Sequence, residues 1–279
     1  MENRKLTAEK IRQFHDYLLQ EEKSKATVEK YLRDVRAFRF FLNEKSVEKE
    51  VVLAYKAYLQ ESGYAVRSIN SVLASLNSLF QLFGWQDCKV RSLRLQQQIY
   101  CSEQKELTKA EYYRLLEAAK VKPQIYLVLQ TICSTGIRVS ELQYFTVEAV
   151  KSGEIFVQCK GKNRRILLPG KLKKLLLRYA KEEKILSGVI FCNRDGGPLS
   201  RGSIWAQMKQ LCRKAGVAPE KVFPHNLRKL FARAFYNLDK DIAKLADILG
   251  HSSINTTRIY IMSTGREHRQ KIERLGLLL

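Results

Sequence analysis

Long apolar runs are missing from this 279-residue chain. None approaches the roughly 20 residues that a membrane-spanning helix needs. The charged start Met1-Glu2-Asn3-Arg4-Lys5 leads into no signal-type apolar region. A cytoplasmic protein with no membrane partner is expected. Paired cysteines are missing too. Cys88, Cys101, Cys133, Cys159, Cys192 and Cys212 are scattered with no Cys-x-x-Cys among them, which argues against a zinc module or a disulfide scaffold and fits a reducing compartment. With no P-loop and no metal-ligand cluster in the sequence, no cofactor and no metal are expected. Acid is short as well. Asp and Glu number 28 against 50 Lys and Arg, a formal charge of +22. Such an excess points to a polyanionic partner, DNA or RNA.

The excess is uneven. Residues 1–100 carry 17 basic against 12 acidic side chains, and residues 101–279 carry 33 against 16. From Ile155 to Lys181 there are nine basic residues and no acid. A solvated face usually mixes both signs, so this segment favours a phosphate-facing surface.

Helical periodicity governs the first hundred residues. Helices are expected from a Thr7 cap to about Glu22, from about Thr27 to Asn43, from about Glu50 to Glu61, and from about Val66 to Phe83. Short connections make them a compact bundle over residues 1–90 whose aromatics belong to its core. Periodicity fades from 91 to 106, a linker. A second domain, 107–279, opens with a capping box from Thr108 to Glu111, with Leu107 and Tyr112 as its staple. An apolar helix near Tyr126–Cys133 follows, and Gly136 then suits a turn presenting Arg138, with Glu141 at i+3 to orient it. An ordinary surface ion pair explains the same two residues.

Glu154–Lys160 and Arg164–Leu168 read as a hairpin joined by Gly161-Lys162-Asn163, its tip carrying Lys160, Lys162, Arg164 and Arg165. A lysine-rich helix (about Lys171–Glu183), a short strand Val189-Ile190-Phe191 and a helix from about Ser200 to Ala215 come next. That last helix carries Arg201, Lys209 and Arg213 without an acid, and is the candidate for a DNA groove. The fold class is mainly α: a helical N-terminal bundle and a mixed α+β domain with one small antiparallel hairpin.

The chemistry gathers between Pro224 and Ile261. His225 and Arg228 share a helical face at i and i+3. Gly250 suits a left-handed cap, and Ser252 or Ser253 can cap the helix that carries Tyr260. A guanidinium fork, two imidazoles and a phenol could cut a phosphodiester. The stretch around Ile242–Ser252 also reads as a helix-turn-helix with Tyr260 on its recognition helix. Of the remaining histidines, His15 falls in a helix pattern and His268 in the tail, and both read as structural or exposed.

Taken in order, Thr135-Gly136-Ile137-Arg138-Val139-Ser140-Glu141-Leu142, the Lys160-Gly161-Lys162 hairpin, His225-Asn226-Leu227-Arg228, Leu249-Gly250-His251-Ser252-Ser253 and Thr256-Thr257-Arg258-Ile259-Tyr260 resemble the tyrosine recombinases, the phage integrase and Xer-type site-specific enzymes. The resemblance covers nearly the whole chain and implies a SAM-like core-binding bundle before the catalytic domain. It casts Arg138 and Arg228 as the clamp on the scissile phosphate and Tyr260 as the nucleophile forming a 3′-phosphotyrosyl intermediate. Lys160 becomes the general acid for the 5′ oxygen, His225 a proton carrier for Tyr260, His251 a phosphate ligand, and Glu141 an accessory acid. It further implies double-stranded DNA as partner, a tetramer on paired sites, passage through a Holliday junction, and a place in the nucleoid.

Two departures stand out: Lys229 follows the second arginine where many relatives have histidine, and Arg233 stands where a small residue is common. No arm-binding domain is expected before the bundle. The apolar end Leu275-Gly276-Leu277-Leu278-Leu279 is expected to dock in a groove, either on a neighbouring protomer or on its own domain. A type IB topoisomerase-like activity or a non-enzymatic helix-turn-helix regulator are the alternative functions.

Overall fold

The computed structural model describes residues 4–95, 103–159, 162–263 and 265–275. By contacts the chain divides into Met1–Gln97 and Gln98–Leu279. No described helix is long and apolar enough to cross a membrane.

The first unit holds α1 (Ala8–Gln20), α2 (Lys25–Leu42), α3 (Lys49–Glu61) and α4 (Val66–Leu82). Thr7 and Ser24 cap the first two through their hydroxyls. The apolar stripes converge on Phe14, Leu18, Val35, Phe38, Leu73, Leu76 and Phe80, all fully buried. One charge lies inside: Asp34, between α2 and α4, accepts from Lys30 at 2.6 Å and from Ser75 at 2.8 Å.

The second unit opens with α5 (Lys109–Ala119), whose capping box pairs Thr108 and Glu111 reciprocally. Pro123 occupies the first turn of α6 (Pro123–Thr135), a position that needs no amide hydrogen. A 3-10 segment Val139–Tyr144 and α7 (Val147–Ser152) lead to β1 (Glu154–Cys159) and β2 (Lys162–Leu167). Lys162 and Asn163, expected in the connection, belong to β2, where they pair with Cys159 and Gln158. After α8 (Gly170–Glu182), the run Val189-Ile190-Phe191 makes no strand. It forms one bridge, Thr146 to Val189, the Ile190 amide donates to Phe145 O, and Phe191 O accepts from the Leu199 amide. It is apolar because it is buried, and it has no neighbouring strand with which to form a ladder.

Then come α9 (Arg201–Ala215), α10 (Pro224–Asp239), α11 (Ile242–Leu249), α12 (Ile254–Ile261) and α13 (Gly265–Glu273). The main core runs from Leu107 to Leu227. A small separate cluster of Ala232, Leu245, Leu249 and Tyr260 joins α10, α11 and α12. In α13, Glu267 accepts from Arg233 of α10 at 2.5 Å. Leu275 is exposed, and residues 277–279 lie outside the described ones.

Candidate active site

Four turns bring the polar groups together. At the end of α6, Gly136 adopts a left-handed φ of +64°, and a Cβ there would lie 2.3 Å from the Phe231 ring. Only glycine fits both demands. The turn leaves Arg138 heading the 3-10 segment, where Glu141 accepts from its backbone amide at 2.7 Å and from its Nη1 at 3.0 Å. Pro224 starts α10 and sets His225 and Arg228 one turn apart. Asp241 caps α11, and Gly250, at φ +63°, ends it. Ser253 caps α12, which carries Tyr260.

Three guanidiniums meet the last three carbonyls of this α11 turn. Arg164 Nη1 donates to Ile248 O, Arg228 Nη2 to Leu249 O at 2.6 Å, and Arg138 Nη2 to Gly250 O at 3.1 Å. The end of a helix offers unpaired carbonyls and the negative pole of its dipole, so it holds cations well. Arg228 also donates through Nη1 to Gly136 O at 2.5 Å. It is only 2% exposed, and its Nε has no hydrogen-bond partner among the described residues. Burial, then the neighbouring Arg138, pushes its guanidinium down to about 10, so it stays charged at neutral pH. Glu141, also 2% exposed, takes a third bond, from Arg164 Nη2. Three cations against one carboxylate leave an excess of positive charge for an anion.

Tyr260 lies among these groups. Its hydroxyl is 3.3 Å from His225 Nδ1, and its ring centroid is 4.9 Å from each imidazole. Arg228 sits 5.9 Å from the ring centre, a cation–π contact. Burial, then Lys229 and Arg228, lowers the His225 pKa. Burial, then Arg228, Arg138 and Arg164, brings His251 to about 4. Both are neutral at pH 7. His251 Nε2 is 3.0 Å from Arg228 Nη2, and its Nδ1 is 2.9 Å from Thr257 Oγ1.

Arg138, Glu141, His225, Arg228, His251 and Tyr260 are therefore brought together. Lys160 lies outside the described residues, and so does the side chain of Lys162. Arg164, expected at a phosphate-facing tip, points inward instead. It pairs across the hairpin with the buried Val157, whereas Arg165 pairs with the exposed Phe156. Opposed residues share a face of the sheet, so one arginine enters the site and the other faces out. Arg165 lies against the Phe156 ring and 3.3 Å from Glu154. On α9, Arg201 and Arg213 are exposed, while Lys209 turns back to the Pro219 carbonyl. Lys229 pairs with the buried Glu106 at 2.9 Å, and Arg233 lies 4.0 Å from it. Sequence reasoning had no role for Glu106 or Thr257. The four-residue spacing of Lys229 and Arg233 on one helix face was the signal for a shared acid.

Comparisons with known proteins place the chain in a family. Residues 105–267 match the model of the Phage integrase family, and residues 11–87 match that of the Phage integrase N-terminal SAM-like domain. The chain is 31% identical to a protein named tyrosine recombinase XerA from Pyrococcus furiosus, with 100% of this chain and 98% of that protein covered. It is 26% identical to a tyrosine recombinase XerD from Halalkalibacterium halodurans, over 85% and 87% of the two chains. Among solved structures, the fold resembles a lambda integrase dimer bound to a core site, with TM-score 0.76 and 19% identity over 94% of this chain and 97% of that one. It also resembles the XerH recombinase bound to its difH substrate, with TM-score 0.68 and 20% identity over 98% and 90%.

Proposed function

Because the chain belongs to the phage integrase family, the tyrosine recombinases, we propose that its arginine–histidine–tyrosine cluster cuts and rejoins DNA strands by transesterification at phosphorus. The enzyme is a site-specific recombinase, not a relaxing topoisomerase or a passive DNA-binding regulator. In this reading Tyr260 attacks the scissile phosphate, a bond forms between its Oη and phosphorus, and the bond to the 5′ oxygen breaks. The product is a 3′-phosphotyrosyl enzyme and a free 5′ hydroxyl. The proton of Tyr260 passes to His225 Nδ1, which is neutral and in reach of it. Arg138 and Arg228 hold the non-bridging oxygens and stabilise the five-coordinate charge. His251 gives phosphate a further hydrogen bond, and Glu141 holds Arg138 in place. Lys160 is the general acid for the leaving oxygen.

The bond energy is kept in the phosphotyrosine, so the reverse attack rejoins a strand without nucleotide hydrolysis. The partners are double-stranded DNA sites, and exchange between two of them runs through a Holliday junction in a tetramer. The bundle and the residues after 107 grip the duplex as core-binding and catalytic domains, with Arg165, Arg201 and Arg213 as outward-facing phosphate contacts.

The observation that carries this reading is the Tyr260 hydroxyl set 3.3 Å from His225 beside a buried, charged Arg228. The test uses a duplex recovered by binding selection from a random pool, nicked so that cleavage traps the enzyme. Wild-type protein should form a covalent adduct that survives denaturing electrophoresis. Tyr260→Phe should form none while binding the same DNA within a few-fold. Undiminished adduct from the Phe variant would remove Tyr260 from the mechanism.

A further inference from the structure

Thr257 stands one helical turn before Tyr260 on α12 and is fully buried. Its hydroxyl oxygen lies 2.9 Å from His251 Nδ1. On the other edge of that ring, Nε2 lies 3.0 Å from Arg228 Nη2. A guanidinium can only donate, so Nε2 must be the acceptor. A neutral imidazole has one proton, and here it sits on Nδ1 and is donated to Thr257 Oγ1. The Arg228 contact thus sets the tautomer, and the Thr257 hydroxyl, accepting the Nδ1 proton, holds the ring so that Nε2 faces the phosphate site.

We propose that Thr257 is a positioning residue for strand cleavage, whose hydroxyl holds the ring plane of His251 and keeps Nε2 turned toward Arg228 and the phosphate, so that the Arg228 contact can select one tautomer. The inference rests on the site reading given above. Without the hydroxyl, a half-turn of the ring would put carbon where Nε2 now faces the guanidinium, and nothing else described holds Nδ1. The same bond ties α12, which carries the nucleophile, to the turn that carries His251, so the two groups keep one spacing. When phosphate arrives, its charge favours protonation of Nε2, and the Nδ1–H bond to Thr257 can persist through that change.

The test reads the imidazole directly. The chain has four histidines, His15, His225, His251 and His268, so ¹⁵N-histidine labelling gives a sparse spectrum in which His251→Gln identifies the signals of His251. Wild-type protein without DNA at pH 7 should show His251 as a single Nδ1–H tautomer. Thr257→Val, nearly equal in shape, should show averaged shifts of mixed tautomers, with cleavage about 10- to 100-fold slower, as for a displaced reacting group. Thr257→Ser should restore both. A wild-type Nε2–H tautomer would overturn the proposal with no variant needed. Unchanged shifts in the Val variant, or a Ser variant as impaired as Val, would overturn it too. The spectrum needs neither DNA nor turnover, so its result stands apart from the adduct assay that tests the reaction itself.

Discussion

Asp34 in the bundle and Arg228 in the catalytic unit are 7% and 2% exposed, yet their surroundings differ in kind. Asp34 meets an ammonium and a hydroxyl, and its charge is cancelled locally. Arg228 meets two carbonyls and an imidazole nitrogen, with other guanidiniums nearby. Carbonyls satisfy donors without neutralising the charge. The bundle has a closed ion pair that serves packing, and the catalytic unit has a solvated-by-protein cation whose field is left for an anion.

The contrast breaks most sharply under substitution. Arg228→Ala should slow cleavage by about 10²- to 10³-fold, the effect of losing one preorganised charge stabiliser. Arg228→Lys should recover little, because an ammonium cannot reproduce the planar fork. Asp34→Asn should instead lower stability by about 1–3 kcal/mol and leave cleavage at saturating DNA within a few-fold. Single-turnover rates and urea melts on the same samples separate the two. Equal rate losses in both variants would erase the distinction.

Arg164 and Arg165 sharpen it on a smaller scale, as neighbours on opposite faces of one strand. Arg164→Ala removes a tie between Glu141 and the end of α11 and should cost up to about 10²-fold in rate at saturating DNA. Arg165→Ala should weaken binding alone and reduce the salt slope by about one. Titrations at several salt concentrations beside saturated cleavage rates distinguish them.

The smallest effect is on pH. Burial lowers the pKa of His225 and brings His251 to about 4. Between roughly 6.5 and about 4 the unfolded chain binds protons that the folded catalytic unit refuses, so stability should fall as pH falls through that window. His251→Asn should flatten part of the slope. Trp85 lies in the bundle and Trp205 in the catalytic unit, and they are the only two tryptophans. Melts of Trp85→Phe and Trp205→Phe variants should place the acid sensitivity with Trp205.

Much of this was legible beforehand. The stripe from Val28 to Leu42 and the Thr108–Glu111 box specify their helices locally. Gly136 and Gly250 mark the turns because each takes a positive φ. The order of Arg138, His225, Arg228, His251 and Tyr260 was readable through its resemblance to the tyrosine recombinases, since the residues alone left a helix-turn-helix reading open. Arg164 was not. Strand alternation says that Arg164 and Arg165 face opposite ways, but not which one faces inward, and that depends on the register of β2 against Val157. Glu106 was hidden because its partners, Lys229 and Arg233, lie more than a hundred residues away. Val189-Ile190-Phe191 misled because burial and strand formation leave the same apolar signature.

The three arginines at the end of α11 each donate to a main-chain oxygen there, beside the side-chain bonds they make to Glu141 and His251. Part of the information for their placement is therefore carried by the path of the backbone. An alanine scan through Ile248 and Leu249 would pass over it, since alanine keeps its carbonyl. Homologous chains could exchange nearly every side chain of that helix and still array the same cations, provided the helix stops at the same residue. What selection must guard there is a length.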